Sequence, residues 1–109
     1  FNEPDDQDVE AALNLPTRPV WLHPTTIADA AGDFGGQEHV PRRALTMGTA
    51  SILSARRILV LAFGSKKAEA VTRSLTGPMT AQVPGSLLRS VSDRVTWMLD
   101  PEAASQLPR

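Results

Sequence analysis

Four groups of residues carry side chains suited to chemistry. Glu3 stands between Asn2 and Pro4. Asp5, Asp6 and Asp8 follow it closely. The only two histidines are His23 and His39. Further on, Gly64-Ser65-Lys66-Lys67 ends an apolar run and opens a segment of helical spacing. A carboxylate such as Glu3 can move or steady a proton. A Gly-Ser-x-Lys turn at a helix start offers a phosphate free amides, the positive end of the helix dipole and an ammonium. Each has a plainer reading. A Glu before Pro in an acidic stretch is ordinarily a surface loop residue, and Lys67 reads either as a phosphate ligand or as a solvated lysine. Lys66 reads as solvent-facing. Asp5, Asp6 and Asp8 have neither the glycine nor the distal glutamate of an EF-hand loop, so a helix start explains them better than a metal. The histidines lack the spacing of a two-His metal helix and read as surface or loop residues.

Composition narrows the classes. Eleven basic against 12 acidic residues give a net charge of -1, without the basic excess of a nucleic-acid module. No apolar run approaches the roughly 20 residues of a membrane span. Cysteine is absent, which excludes a thiol nucleophile, a disulfide framework and a Cys-ligated metal. At 109 residues the chain is at most one domain or a part of one. No signal peptide is visible, although a trimmed N-terminus would hide one, and the expected compartment is the cytoplasm.

The elements that must position these residues follow from pattern. Asp5 to Asp8 precede one short helical turn at Val9–Leu13. Val20–His23 reads as a short strand, and Pro24-Thr25-Thr26 opens a helix over Ile27–Ala31 that Gly32 stops. Arg43–Met47 reads as a strand and Gly48–Ala55 as a helix. The unbroken apolar run Ile58–Phe63 has the look of a strand buried on both faces of a parallel sheet. Ser65 is the expected N-cap of the next helix, with Ala68, Val71 and Leu75 on one face and Gly77-Pro78 as its stop. Pro84–Arg89 reads as a short helix and Val95–Leu99 as the last strand. Asp100-Pro101 then opens a terminal helix. Strands alternating with helices imply parallel βαβ units. Trp21 and Trp97 read as core or interface residues. Thr46 and Gly48 read as turn residues.

Phe1-Asn2-Glu3-Pro4, Val40 to Lys67 with its Ala44-Leu45-Thr46-Met47-Gly48 and Gly64-Ser65-Lys66-Lys67-Ala68, and Val83-Pro84-Gly85-Ser86-Leu87-Leu88 occur in one order and spacing. In this the chain resembles the C-terminal part of the glucosamine-6-phosphate deaminase/isomerase family. The resemblance implies an α/β, Rossmann-like three-layer fold with a mainly parallel sheet, of which residues 1–109 are the C-terminal portion. It implies acid-base conversion of an amino-sugar 6-phosphate to a ketose 6-phosphate and ammonia, with no cofactor. Glu3 becomes the carboxylate that tunes a ring-opening histidine lying upstream of this chain. Lys67, with Ser65, becomes the phosphate ligand. The implied partners are the phosphorylated amino sugar and the N-terminal half of the same enzyme, without which the chain is inactive. Neither nucleic acid nor membrane is expected, and a homo-oligomer is compatible.

The chain also departs from the family pattern. Where family members carry a phosphate-gripping Arg, this chain has Ala30-Ala31-Gly32. The segment after Pro4 is longer, and the residues of the family's regulatory sugar-phosphate site are not recognisable. A 6-phosphogluconolactonase-like hydrolase and a non-catalytic sugar-phosphate sensor of a regulator are the alternatives.

Overall fold

The computed structural model describes residues 2–108; Phe1, the first residue of the Phe-Asn-Glu-Pro motif, lies outside them. The order of regular elements is α1 (Val9–Leu13), β1 (Arg18–Trp21), α2 (Pro24–Phe34), β2 (Arg43–Thr46), α3 (Thr49–Leu53), β3 (Ile58–Ala62), α4 (Ala68–Thr76) and β4 (Val95–Leu99). Short 3₁₀ segments occupy Gln37–His39, Ser65–Lys67 and Pro84–Arg94, the last kinked at Val91.

The strands form two ladders. β3 and β4 run parallel, with Ile58 opposite Val95 and Ala62 opposite Leu99. The intervening α4 and the Pro84–Arg94 segment make the crossover and pack against each other. This is the βαβ unit that the pattern predicts. β1 and β2 instead pair antiparallel, Arg18 opposite Thr46 and Trp21 opposite Arg43. The expected parallel character therefore holds for the second ladder alone. The chain between β1 and β2 turns back through α2 and the Gln37–His39 segment, which pack on each other. Trp21 is exposed and lies under the Arg43 guanidinium, 5.2 Å from the ring centroid, so it is not a core residue.

Local chemistry sets the helix ends. Asp8 caps α1 by accepting the Ala11 amide at 2.7 Å. α2 runs past Gly32 to Phe34, three residues beyond the expected last residue, Ala31. Gly35, at φ 77°, takes the left-handed conformation that ends a helix, whereas nothing at Gly32 requires it. α4 ends at Gly77 as expected. Ser65 is not a cap: the 3₁₀ turn it opens is preceded by Gly64, no side chain caps it, and α4 begins only at Ala68. After β4 the chain makes hydrogen-bonded turns rather than a helix, although Asp100 Oδ1 accepts the Ala103 amide at 2.8 Å as a cap would.

The core lies on one side of the β3–β4 ladder. Ala68, Val71 and Ser74 of α4 are buried, as are Ser86 and Leu87. A smaller cluster joins Ala12, Ala81 and Leu87, with Val9, Leu13 and Met79 around it. The Ser86 hydroxyl, wholly buried, accepts the Thr80 amide at 2.9 Å and donates to the Val83 carbonyl at 2.6 Å. At Gly85 an added Cβ would stand 2.3 Å from Ser74 Oγ, so glycine lets this segment lie against α4. On the other side the ladder is open. Leu59 and Leu61 are each 57% exposed and Met98 52%, while Ile58, Val60 and Trp97 alternate with them on the covered side. The expectation of a β3 buried on both faces is thus corrected: helices cover one face only.

Candidate functional site

In open α/β sheets, ligands bind beyond the carboxyl ends of the strands. Beyond β3 the backbone turns sharply at Gly64, whose φ of 88° suits glycine. The Gly64 amide donates to both carboxylate oxygens of Asp100, at 3.0 Å each. Asp100 therefore ties the exit of β3 to the end of β4 and fixes where Ser65-Lys66-Lys67 begins. Sequence reading assigned Asp100 only to a cap. Its second duty spans two parallel strands, a pairing that no local pattern encodes.

Glu3 reaches the same end of the molecule from the N-terminal segment. Asn2 anchors that segment, its Nδ2 donating to the Met47 carbonyl at 3.0 Å while its Oδ1 accepts from Arg18 at 3.1 Å. The Glu3 carboxylate then accepts the Thr26 hydroxyl, at 3.0 Å to one oxygen and 3.2 Å to the other, and the His23 amide at 3.2 Å. His23 is the N-cap of α2, its Nδ1 accepting the Thr25 amide at 3.2 Å. The carboxylate is thus held at the start of an 11-residue helix by two donors, an arrangement suited to an ionised group. Sequence reading gave Thr26 only to a helix start and His23 only to a surface or loop role, and missed their support of Glu3. The signal present was the Pro24-Thr25-Thr26 helix start, but its proximity to Glu3 is a contact across 23 residues.

Glu3 and Pro4 form one wall of a hollow of about 340 Å³, with His23, Thr26, Lys66 and Arg73 around it. Lys66 thus shares the hollow with Glu3, whereas Lys67 does not line it. Both lysines are exposed. The Lys67 amide is bonded to the Gly64 carbonyl at 3.1 Å, and that of Ala68 to the Ser65 carbonyl. Among the described residues, the amides of Ser65 and Lys66 carry no such bond, so the head of the turn faces solvent. Ser65, also exposed, sits at that head. The arrangement brings together an oriented carboxylate, a hydroxyl, two cations and a strand-end turn. With Glu69 also on the wall, 3.9 Å from Arg73, it can hold a polar, hydroxyl-bearing ligand and steady a proton-transferring group beside it.

The acidic stretch is used in part locally and in part across the fold, where Asp6 accepts from Gln82 Nε2, 76 positions away. Asp5 accepts the Asp6 amide at 2.8 Å and Gln7 Nε2 at 2.7 Å, and Asp8 caps α1. Among the described residues no group of three or more His, Cys, Asp or Glu side chains converges as a metal site. No helix among them is long and apolar enough to cross a membrane.

This α/β architecture is similar to part of a solved structure of the NagB superfamily. A solved structure described as a monomeric glucosamine-6-phosphate deaminase, a missing link of that superfamily, superposes with a TM-score of 0.85 at 40% identity, covering 96% of this chain and 41% of the other. Relatives agree along the whole sequence. The glucosamine-6-phosphate deaminase of Rhodopirellula baltica is 49% identical over 109 residues, all of this chain and 41% of the relative. That of Corynebacterium aurimucosum is 42% identical over 107 residues, 98% of this chain and 40% of the relative. That of Lacticaseibacillus paracasei is 43% identical over 109 residues, all of this chain and 44% of the relative. No family model matches the chain. In sequence and fold, then, the chain is a homologue of part of the glucosamine-6-phosphate deaminases, and it spans about two fifths of their length.

Proposed function

We propose that this chain supplies the C-terminal portion of the single catalytic domain of a cytoplasmic amino-sugar-phosphate deaminase. The reaction converts glucosamine 6-phosphate, or a close analogue, to a ketose 6-phosphate and ammonia by acid-base steps. The observation that carries the reading is the Glu3 carboxylate, oriented by Thr26 and the His23 amide at the strand-end hollow. An ionised carboxylate held this way can set the tautomer and raise the basicity of an imidazole brought beside it. That imidazole, the proton-transferring acid and most of the phosphate loop belong to the rest of the domain. Lys67, with Ser65 at the head of the turn, contributes to the phosphate site. Ala31 offers no charge on α2, so the cations of the Ser65–Lys67 turn carry more of the phosphate. The deaminase names of the relatives favour amine loss over a lactonase-type hydrolysis or a silent sensor.

The test is a chimera in which these 109 residues replace the matching segment of the Rhodopirellula baltica deaminase, which they match over 109 residues. Ammonia release from glucosamine 6-phosphate by the chimera, and none from the isolated chain, is the expected result. Glu3→Gln in the chimera should lower kcat by up to about 100-fold with little change in KM, the low end of acid-base contributions. A correctly folded chimera without activity, or a Glu3→Gln variant with unaltered kcat, would overturn the assignment.

A further inference from the structure

Asp100 is half-buried just after β4, and among the described residues no Lys or Arg pairs with its carboxylate. Its partners are backbone amides. Oδ1 accepts the Ala103 amide at 2.8 Å, and both oxygens accept the Gly64 amide at 3.0 Å. Ala103 is wholly buried, so the carboxylate is fixed from the C-terminal side. Capping the turn after β4 needs only the Ala103 bond. The Gly64 bond reaches across to the exit of β3, and Gly64 passes the constraint on. Its N–H is held by Asp100, while its carbonyl accepts the Lys67 amide at 3.1 Å. Between those two bonds lie only the φ of 88° and ψ of 158° of one residue. Glycine is free to populate many other conformations, so the two bonds select this one. They thereby set the direction of the Ser65 and Lys66 amides, which are unbonded among the described residues, and the starting point of the Lys67 side chain.

We propose that Asp100 is a positioning residue for substrate phosphate, acting through Gly64 and by geometry rather than charge. This rests on the assignment of Lys67 and Ser65 to the phosphate site and adds the residue that aims them. Charge alone argues against an acid at this strand end, because a carboxylate repels a phosphate. Acceptor capacity is what the position uses. An ionised carboxylate carries acceptors only, and both of its oxygens are occupied by amides. An asparagine with Oδ1 turned inward keeps the Ala103 bond and one bond to Gly64, without the charge. An alanine keeps neither and frees the Gly64 peptide to rotate. Asp100 draws neither Lys66 nor Lys67 into an ion pair, so both ammonium groups stay available to a ligand.

The experiment uses the chimera with the Rhodopirellula baltica deaminase and reads kcat, KM for glucosamine 6-phosphate and the inhibition constant of inorganic phosphate. Asp100→Ala should raise KM and the phosphate inhibition constant together by about tenfold or more, with kcat at saturation within about threefold, the pattern of lost uniform binding. Asp100→Asn should keep both constants within about threefold of the parent. Should Asp100→Ala fail to fold, Asp100→Ser takes its place: the hydroxyl still caps Ala103 on a shorter side chain, and the same losses are expected. In the Asp100→Ala or Asp100→Ser background, Lys67→Ala should add less than about threefold, because the turn that aims the lysine is already released, whereas independent roles would multiply. A fall in kcat at constant KM, an Asp100→Asn variant as impaired as Asp100→Ala, or losses that multiply with those of Lys67→Ala would each overturn the proposal. A Lys67→Ala variant that binds phosphate like the parent would overturn the phosphate assignment and this proposal with it. A Lys67→Ala loss that the Asp100 variants do not share would overturn the proposal alone.

Discussion

Gly48 links β2 to α3 and is buried against the Leu15-Pro16 backbone. Its φ of -66° is open to any residue, so conformational freedom is not the reason for glycine. Space is. A Cβ built there would lie 2.2 Å from the Leu15 carbonyl oxygen, 2.2 Å from Pro16 C and 2.6 Å from Pro16 O. Carbon–oxygen contacts settle near 3.3 Å, so Gly48→Ala needs a backbone shift of about 1 Å. The Pro16 ring limits how the loop can yield. Two hydrogen bonds cross the same contact: Gly48 N–H to Thr17 Oγ1 and Ala50 N–H to the Leu15 carbonyl, each 3.1 Å. Leaving a buried donor or acceptor unmade costs about 1–3 kcal/mol, and overpacking a tight site costs about as much. The expected loss is about 2–6 kcal/mol, a large share of the roughly 5–15 kcal/mol a domain possesses. Gly32→Ala is the internal control. Gly32 is an exposed position within α2 with nothing within 4 Å of its Cβ, and alanine there should gain about 1 kcal/mol. Thermal and urea melts followed at 222 nm should move in opposite directions, Gly32→Ala upward by about 4–8 °C and Gly48→Ala downward by more. A Gly48→Ala midpoint equal to that of the parent would refute the steric argument.

Ser86→Ala strips a wholly buried hydroxyl from the Thr80 amide and the Val83 carbonyl and should cost about 1–3 kcal/mol in the same melts. In the chimera, Thr26→Val should lower kcat about tenfold at constant KM, while Thr26→Ser keeps the hydroxyl and most of the rate; a charge-assisted hydrogen bond sets that scale. Lys67→Ala should lower kcat/KM by roughly 10- to 150-fold, the range for a hydrogen bond to a charged group, with unchanged melting. Lys66→Ala should stay within about twofold; the opposite ranking would place the phosphate in the hollow that Lys66 shares with Glu3.

What could be read in the sequence was what short-range chemistry specifies. Asp8 ahead of Val9–Leu13, Gly77 after α4, the apolar run of β3 and the Val95–Leu99 strand all act through neighbours within a few residues. Their locations followed from capping, helix-stop and period rules. The misreadings have separate causes. Gly32 lost to Gly35 because the helix end is decided by which glycine takes the left-handed conformation. Ser65 yielded its cap because a 3₁₀ turn intervened before α4. The antiparallel β1–β2 ladder depended on how the chain folds back through α2, which alternation of elements does not encode.

The candidate site divides along the same line. The Gly-Ser-x-Lys turn is a local motif, legible as a strand-to-helix junction. The support of Glu3 joins residues 20 and 23 positions apart, and that of Gly64 comes from Asp100, 36 positions away. Such contacts exist only once the sheet and α2 are in place. This also explains the most instructive discrepancy. The β3 pattern, apolar at every position, is the pattern of a strand covered on both sides, yet the folded chain covers only one. Alternation would have sufficed for a half-exposed strand, with polar residues at Leu59 and Leu61. Two leucines at those positions mean that the sequence is written for a sheet with a second layer. Under the proposed function, the rest of the domain would supply both that second layer and the group that Glu3 orients.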